Sequence, residues 1–273
     1  MFSFASKTLF RPFYLCISLM LPSTAMAADS GAKIGVVVMH GKGGSPTRFV
    51  SDLAAALKEQ GYLVANLEMP WSGKRNYDVD VSAAENEVEA ALSSLRNQGA
   101  IKLFVAGHSQ GGLFTFHFGN KYIVDGLIAI APGGNTASKL FSDNLGAFVS
   151  KARALIAEGK GNEKTSLGDF ESAKGSNSFM ATPTVYLTWF DPQGAMNEWN
   201  AISNVLPATP VLYIAPKHDY PGLMKIKNEM YSGLPKNKYT QLYEPDCDHL
   251  KAPAVSANEI IAWTKIVSQS NEK

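Results

Sequence analysis

Residues 33–39, Lys-Ile-Gly-Val-Val-Val-Met, form an apolar run with no polar alternation. A strand buried on one face alternates apolar and polar side chains, so a continuous β-branched run predicts a strand covered on both faces. Further strands are predicted at Tyr62–Leu67, Leu103–Ala106, Asp125–Ala131, Pro210–Ala215 and Lys238–Tyr243. Helical patterns separate them. Ser45-Pro46 offers an N-cap with proline at the first helical position, predicting a helix to about Gln60 with Phe49, Leu53, Ala56 and Leu57 on one face. A second helix is expected from Val81 to Asn97, a third directly after Ser109, a fourth around Leu223–Tyr231, and a last one from about Pro253 to Ser268. Strands and helices in alternation predict an α/β fold: a doubly wound, mostly parallel sheet of about six strands, helices on both faces, joined by right-handed crossovers.

The rhythm fails between Thr136 and Leu206, where scattered aromatics surround a Lys/Glu/Gly-rich middle. A plain loop of that length does not fit a compact domain, so residues 136–206 are expected to form a helical cap insertion. At the other end, Lys7 and Arg11 precede an apolar core at Phe13–Leu21, and Ala25-Met26-Ala27 supplies a small-residue cleavage pattern. These are the parts of an export leader. Its apolar core is too short to span a bilayer, so no stable membrane anchor is expected. Residues 1–27 are thus read as a removable signal peptide, and 28–273 as the folded domain of a periplasmic or secreted protein. Removing the leader takes away two basic residues and no acidic ones, lowering the formal net charge from +1 to −1. That balance gives no basic surplus for nucleic acid. Only Cys247 remains, so a disulfide within the mature chain is excluded and the core must supply the stability.

The predicted strand Leu103–Ala106 stops at Gly107-His108-Ser109-Gln110-Gly111, and a helix-compatible stretch follows at once. A strand running into a helix through G-x-S-x-G makes a turn so tight that small residues must flank the serine at two positions' distance, and the turn lifts the hydroxyl clear of the backbone. The alternative, a glycine-rich turn with an ordinary serine, explains the glycines but not the setting. A serine hydroxyl needs an adjacent base, and the base needs a third group to hold its tautomer. His40, Trp71, Ser109, Pro132, Asp219 and His249 all follow predicted strands, and in such sheets the chemistry collects at the carboxyl ends of the strands.

His-Gly-Lys-Gly-Gly at 40–44, Gly-His-Ser-Gln-Gly-Gly at 107–112, Asp219 at a strand end and Asp-His-Leu at 248–250 together resemble the α/β-hydrolase superfamily of serine esterases and lipases, over nearly all of residues 33–268. The chain order Ser, acid, His implied by this resemblance selects Ser109 as nucleophile, Asp219 as acid and His249 as base. Asp191, Asp246 and Asp248 are the rival acids, the first inside the insertion and the other two in the histidine's own loop. The oxyanion donors are expected to be the backbone N–H groups of Gln110 and Lys42. The Lys42 side chain is read either as solvated at the rim or as favouring anionic substrates. Trp71 is a candidate for the acyl pocket, with core packing as the other reading, and Cys247 is read as filler.

Two departures from the family pattern stand out. The one or two extra N-terminal strands of larger members are missing, and Lys42 replaces an apolar or aromatic residue common at that position in relatives. No metal-ligand spacing and no nucleotide-binding glycine loop after a strand is present, so neither metal nor cofactor is implied. The expected activity is hydrolysis of a small-molecule or lipid carboxylic ester through an acyl-enzyme. Acyl transfer or thioester cleavage by the same triad is the alternative, as is a non-catalytic binding protein on the same fold.

Overall fold

Six strands pair side by side and all in parallel: β1 (Ile34–Met39), β2 (Leu63–Leu67), β3 (Lys102–His108), β4 (Gly126–Ile130), β7 (Val211–Ile214) and β8 (Gln241–Tyr243), in the order β2-β1-β3-β4-β7-β8. The computed structural model describes residues 1–3, 33–171 and 174–270. The chain divides into two compact units, 1–31 and 32–273, and the second contains the whole sheet. Residues 4–27 of the expected leader, with its cleavage site, lie outside the described residues.

The period of two along each strand divides the core between the two faces of the sheet. Val36 and Val38 of β1, Phe104 and Ala106 of β3, and Ile128 and Ile130 of β4 point to one side. There they meet Leu53 and Leu57 of α1 (Ser51–Glu59) and Ile260, Trp263 and Val267 of α9 (Ala257–Ser270). Val37, Met39, Val105 and Ala129 point to the other side. They meet Val88 and Leu92 of α2 (Val81–Asn97) and Phe114 and Phe116 of α3 (Gln110–Phe118). Both sets are buried, which is why the strands read as unbroken apolar runs.

Several boundaries differ from the sequence expectation for local reasons. The first helix starts at Ser51 rather than near Ser45, because Phe49 takes φ +60°, which a right-handed helix cannot include. Strand β8 is only three residues long, because a turn held by Asn237, which accepts from Tyr239 N and Thr240 N, occupies its expected start. The last helix is split into α8 (Ala252–Val255) and α9 at Ser256. α2 has the predicted limits, with Asp80 as N-cap accepting from Ala83 N at 2.8 Å.

The insertion carries helices α4 (Lys139–Ala157), α5 (Pro183–Phe190) and α6 (Glu198–Ser203), together with an antiparallel hairpin, β5 (Thr165–Glu171) and β6 (Gly175–Ala181), that the sequence did not announce. β6 reads Gly-Ser-Asn-Ser-Phe-Met-Ala and is mostly exposed, so it carries no apolar alternation to betray it. The insertion does not form a separate core: Phe170, Tyr186, Trp189 and Phe190 join the same cluster as Met39, Trp71 and Phe114.

At the start of α6, Glu198 is wholly buried, and neither carboxylate oxygen has a hydrogen-bond partner among the described residues. Burial pushes its pKa up from 4.5 to about 8. Between those values the unfolded chain releases the proton and the folded chain keeps it, so stability falls as pH rises across that window. Glu198→Met should remove this decline. Its advantage over the native chain, measured by urea unfolding, is expected to grow by about 3 kcal/mol between pH 4.5 and pH 7.

Candidate active site

β3 ends at His108 and α3 begins at Gln110, so the reversal from strand to helix falls on Ser109 alone. That residue takes φ 55°, ψ −118°, a conformation that L-residues rarely adopt. The turn is held from both sides: Ser109 N donates to Ile130 O at 2.9 Å, and Ser109 O accepts from Leu113 N and Gly133 N. Glycine is required at the flanks because backbone crosses there. A Cβ on Gly107 would lie 2.0 Å from Gly111 O, and one on Gly111 would lie 2.7 Å from His40 O.

The carboxyl ends of β7 and β8 bring Asp219 and His249 together. Lys217 N donates to Pro245 O and His218 N to Cys247 O, stitching the loop after β7 to the loop after β8. His249 Nδ1 then donates to Asp219 Oδ1 at 2.7 Å, with both residues buried. A second donor, Tyr220 N, reaches the same oxygen at 2.7 Å. With Nδ1 carrying the proton, Nε2 of His249 is the free basic nitrogen. Ser109 Oγ has no hydrogen-bond partner among the described residues.

The rival acids are engaged elsewhere. Asp191 pairs with Arg153 at 2.8 Å, Asp246 with His218 at 2.8 Å, and Asp248 caps Lys251 N at 2.9 Å. Cys247 is a free, buried thiol whose pKa burial and the nearby Asp248 push up, which disfavours the thiolate.

Two histidines next to the serine are fixed as neutral. His40 Nδ1 donates to Gly41 O at 2.7 Å and Nε2 accepts from Met69 N at 3.0 Å, which settles its tautomer; burial lowers its pKa. His108 Nε2 donates to His249 O at 2.9 Å, and its ring lies 4.9 Å from the His249 ring. Tyr220 covers His249 from another side, ring centroids 4.6 Å apart. His249 is thus held through the Asp219 carboxylate, its own main chain and two ring contacts. The sequence reading missed His108 and Tyr220 as supports, although each directly adjoins a residue it selected.

The backbone N–H groups of Lys42 and Gln110 have no acceptor among the described residues, as donors for an oxyanion require. The loop carrying Lys42 lies against the serine: a Cβ on Gly41 would come 3.0 Å from Ser109 Cβ. Gln110 Oε1 accepts from the buried Tyr77 hydroxyl at 3.2 Å. Neither expectation for the Lys42 side chain holds. It is only 12% exposed, ion-paired with Asp169 of β5, bonded to Phe170 O at 2.9 Å, and close to the rings of Phe141 and Phe190.

The acyl-pocket reading of Trp71 is also corrected. Its side chain is 1% exposed, donates to His40 O at 2.8 Å, and packs on Phe114 and Trp189, so it is a core residue that braces the oxyanion loop from behind. Among the described residues no group of three His, Cys, Asp or Glu side chains is placed to hold a metal ion, and no helix is long and apolar enough to cross a membrane.

Burial, with the nearby His249, lowers the His108 pKa from 6.5 to about 3. Between those values the unfolded chain takes up a proton that the folded chain refuses, so stability is lost as pH falls through the window. His108→Gln should flatten this acid slope. Urea unfolding at pH 5 and pH 7 is expected to show the native chain losing about 2 kcal/mol more than the variant.

The matches to known proteins fit this arrangement. A family model described as serine aminopeptidase, S33, matches residues 31–172, more than half of the chain. No curated protein matches by sequence. Among solved structures, the chain is similar to the metagenome-derived lipolytic enzymes LipS and LipT, with TM-score 0.57 and 20% identity over 88% of this chain and 95% of that one. It is similar to a monoacylglycerol lipase from Paleococcus ferrophilus, with TM-score 0.60 and 18% identity over 85% and 94%. It is similar also to the α/β hydrolase GrgF from Penicillium sp. sh18, with TM-score 0.64 and 13% identity over 88% and 91%. At such identities the structural likeness speaks for the fold, and the family match for the chemistry. The chain belongs to the serine aminopeptidase S33 family of α/β-hydrolases and is a serine hydrolase of esterase- and lipase-like build.

Proposed function

We propose that this protein is an exported esterase in which Ser109 is the nucleophile, His249 the general base and Asp219 the orienting acid. The observation that carries the reading is the buried 2.7 Å bond between His249 and Asp219 at the same sheet edge as the strained, half-exposed Ser109. Ser109 Oγ attacks the ester carbonyl while His249 Nε2 takes its proton. Asp219 stabilises the resulting imidazolium without itself becoming protonated. The N–H groups of Lys42 and Gln110 receive the oxyanion. The tetrahedral adduct collapses to an acyl-enzyme as His249 protonates the departing alkoxide, and water activated by the same histidine releases the acid.

An ester is favoured over a peptide with a free amino terminus by the charges beside the oxyanion loop. Asp169 is paired with Lys42, and Glu171 with Lys174 at 2.8 Å, so neither carboxylate is free to bind a substrate ammonium. Similarity to a monoacylglycerol lipase and to lipolytic enzymes supports small esters and lipid esters as the substrate class.

Ser109→Ala should lower turnover of short p-nitrophenyl esters by about 10⁴-fold or more and abolish labelling by a fluorophosphonate probe. Turnover left intact in the folded variant would refute the assignment. Native enzyme that cleaves aminoacyl p-nitroanilides faster than these esters would replace the esterase reading with a peptidase one.

Export is supported by Lys7 and Arg11, the apolar Phe13–Leu21 and the Ala25-Met26-Ala27 pattern. Mass spectrometry of the protein released from the periplasm of an expressing bacterium should find a mature chain that begins at Ala28. An intact amino terminus confined to the cytoplasm would overturn this part of the proposal.

A further inference from the structure

Lys42 and Gln110 offer their backbone N–H groups at the serine, yet both side chains run the other way, into contacts with residues outside the elbow. Gln110 is bonded to Tyr77, whose ring packs on Phe179 and Phe190 of the insertion. Lys42 crosses to the hairpin, where its ammonium meets the Asp169 carboxylate and the Phe170 carbonyl. Asp169 is itself only 14% exposed, and its Oδ1 also accepts from Phe170 N at 2.8 Å. The carboxylate is therefore aimed by its own strand and is not free to follow a moving lysine.

The loop that Lys42 belongs to has few other restraints on this side. Gly41, Gly43 and Gly44 surround the lysine, and Gly43 takes φ +62°. Its backbone is tied by Gly43 N to Trp71 O at 2.8 Å, by Gly44 N to Gly41 O at 3.0 Å and by His40 Nδ1 to Gly41 O at 2.7 Å, while Lys42 N–H has no acceptor among the described residues. A glycine-rich segment has wide conformational freedom, and an ion pair at the tip of its one long side chain removes much of it. A buried ammonium is also costly without its counter-ion, so the pair holds or fails as a unit.

We propose that Asp169 is a positioning residue for the oxyanion hole: by gripping the Lys42 ammonium from the insertion hairpin, it holds the Lys42 N–H toward the carbonyl oxygen bound at Ser109. The inference rests on the Ser109 esterase reading. It makes the hairpin a functional part of the site and gives a reason for the lysine at a position where the family resemblance leads one to expect an apolar side chain. Donors aimed in advance at a developing charge act without reorganising in the transition state, so a loosened donor lowers kcat with little effect on ground-state binding.

The test uses the full-length enzyme, a p-nitrophenyl ester, and an alkyl trifluoromethyl ketone whose adduct with the serine places an oxyanion in the hole. Asp169→Asn should lower kcat by about 10²-fold and weaken the ketone by a similar factor, with KM changed less than about threefold. The double variant Lys42→Met with Asp169→Leu replaces the buried pair by apolar groups. It is expected to keep a thermal midpoint near that of the native enzyme and to show the same paired losses. It thereby decides the matter even if Asp169→Asn does not fold. A folded variant with kcat within twofold of native, or one that loses kcat while binding the ketone as tightly as before, overturns the proposal. Ser109→Ala in the same assay separates the two readings. Turnover surviving there removes the esterase assignment and this inference together, whereas its loss beside undiminished Asp169 variants removes only the role of Asp169.

Discussion

The contact of Gly107 with Gly111 is the constraint on which the rest of this structure depends. Strand and helix cross there with no room for a single added carbon, and the crossing drives Ser109 into a left-handed conformation. Strain of this kind persists only where the surroundings over-determine it. Here β3 is paired with β1 and β4, and α3 is apolar and buried along almost its whole length. The parallel sheet thus works as a clamp. It supplies the rigidity that keeps the serine turned outward, and it also brings the loops after β1, β7 and β8 to the same edge.

Burial then decides the protonation states around that serine. His40 and His108 lie against the elbow and are held neutral by desolvation and by directional hydrogen bonds, two at the His40 ring and one at the His108 ring. Of His40, His108 and His249, only His249 has a carboxylate partner among the described residues. The cost appears on the acid side of the stability curve, where refusing a proton at His108 disfavours the fold. Glu198 has the opposite dependence, since its buried carboxyl disfavours the fold as pH rises. The two windows overlap between pH 4.5 and pH 6.5, where the opposing slopes cancel, and together these two groups disfavour the fold least there.

The insertion is part of the same argument. Its aromatics share a core with Trp71 and Tyr77, and its hairpin holds the Lys42 side chain. Packing in this region therefore reaches the loop after β1 twice, through Trp71 and its bond to His40 O, and through Asp169 and its bond to Lys42. The Lys42 side chain, read as solvated or as favouring anionic substrates, and Trp71, read as acyl pocket or core, both prove to be buried against partners the sequence did not name. Distance along the chain explains why. Asp169 is 127 residues from Lys42, and Trp189 is 118 from Trp71, so no local pattern could show either partner.

What was legible from sequence follows from short-range physics. Unbroken apolar runs imply strands with two buried faces, and G-x-S-x-G between a strand and a helix implies a sharp turn. The order of strand-end residues brought Ser109, Asp219 and His249 forward. The α2 limits were readable because Asp80 caps and the apolar stripe is regular. The start of α1 was not, because the left-handed Phe49 overrides a plausible Ser-Pro cap. The β5–β6 hairpin was hidden by a polar, exposed strand. By itself, then, the sequence determined the fold class and the elbow, since each depends on patterns among residues within a few positions of one another. Only the tertiary structure decided which carboxylate meets His249, which way Lys42 points and what braces the oxyanion loop, since those are contacts between segments far apart in the chain.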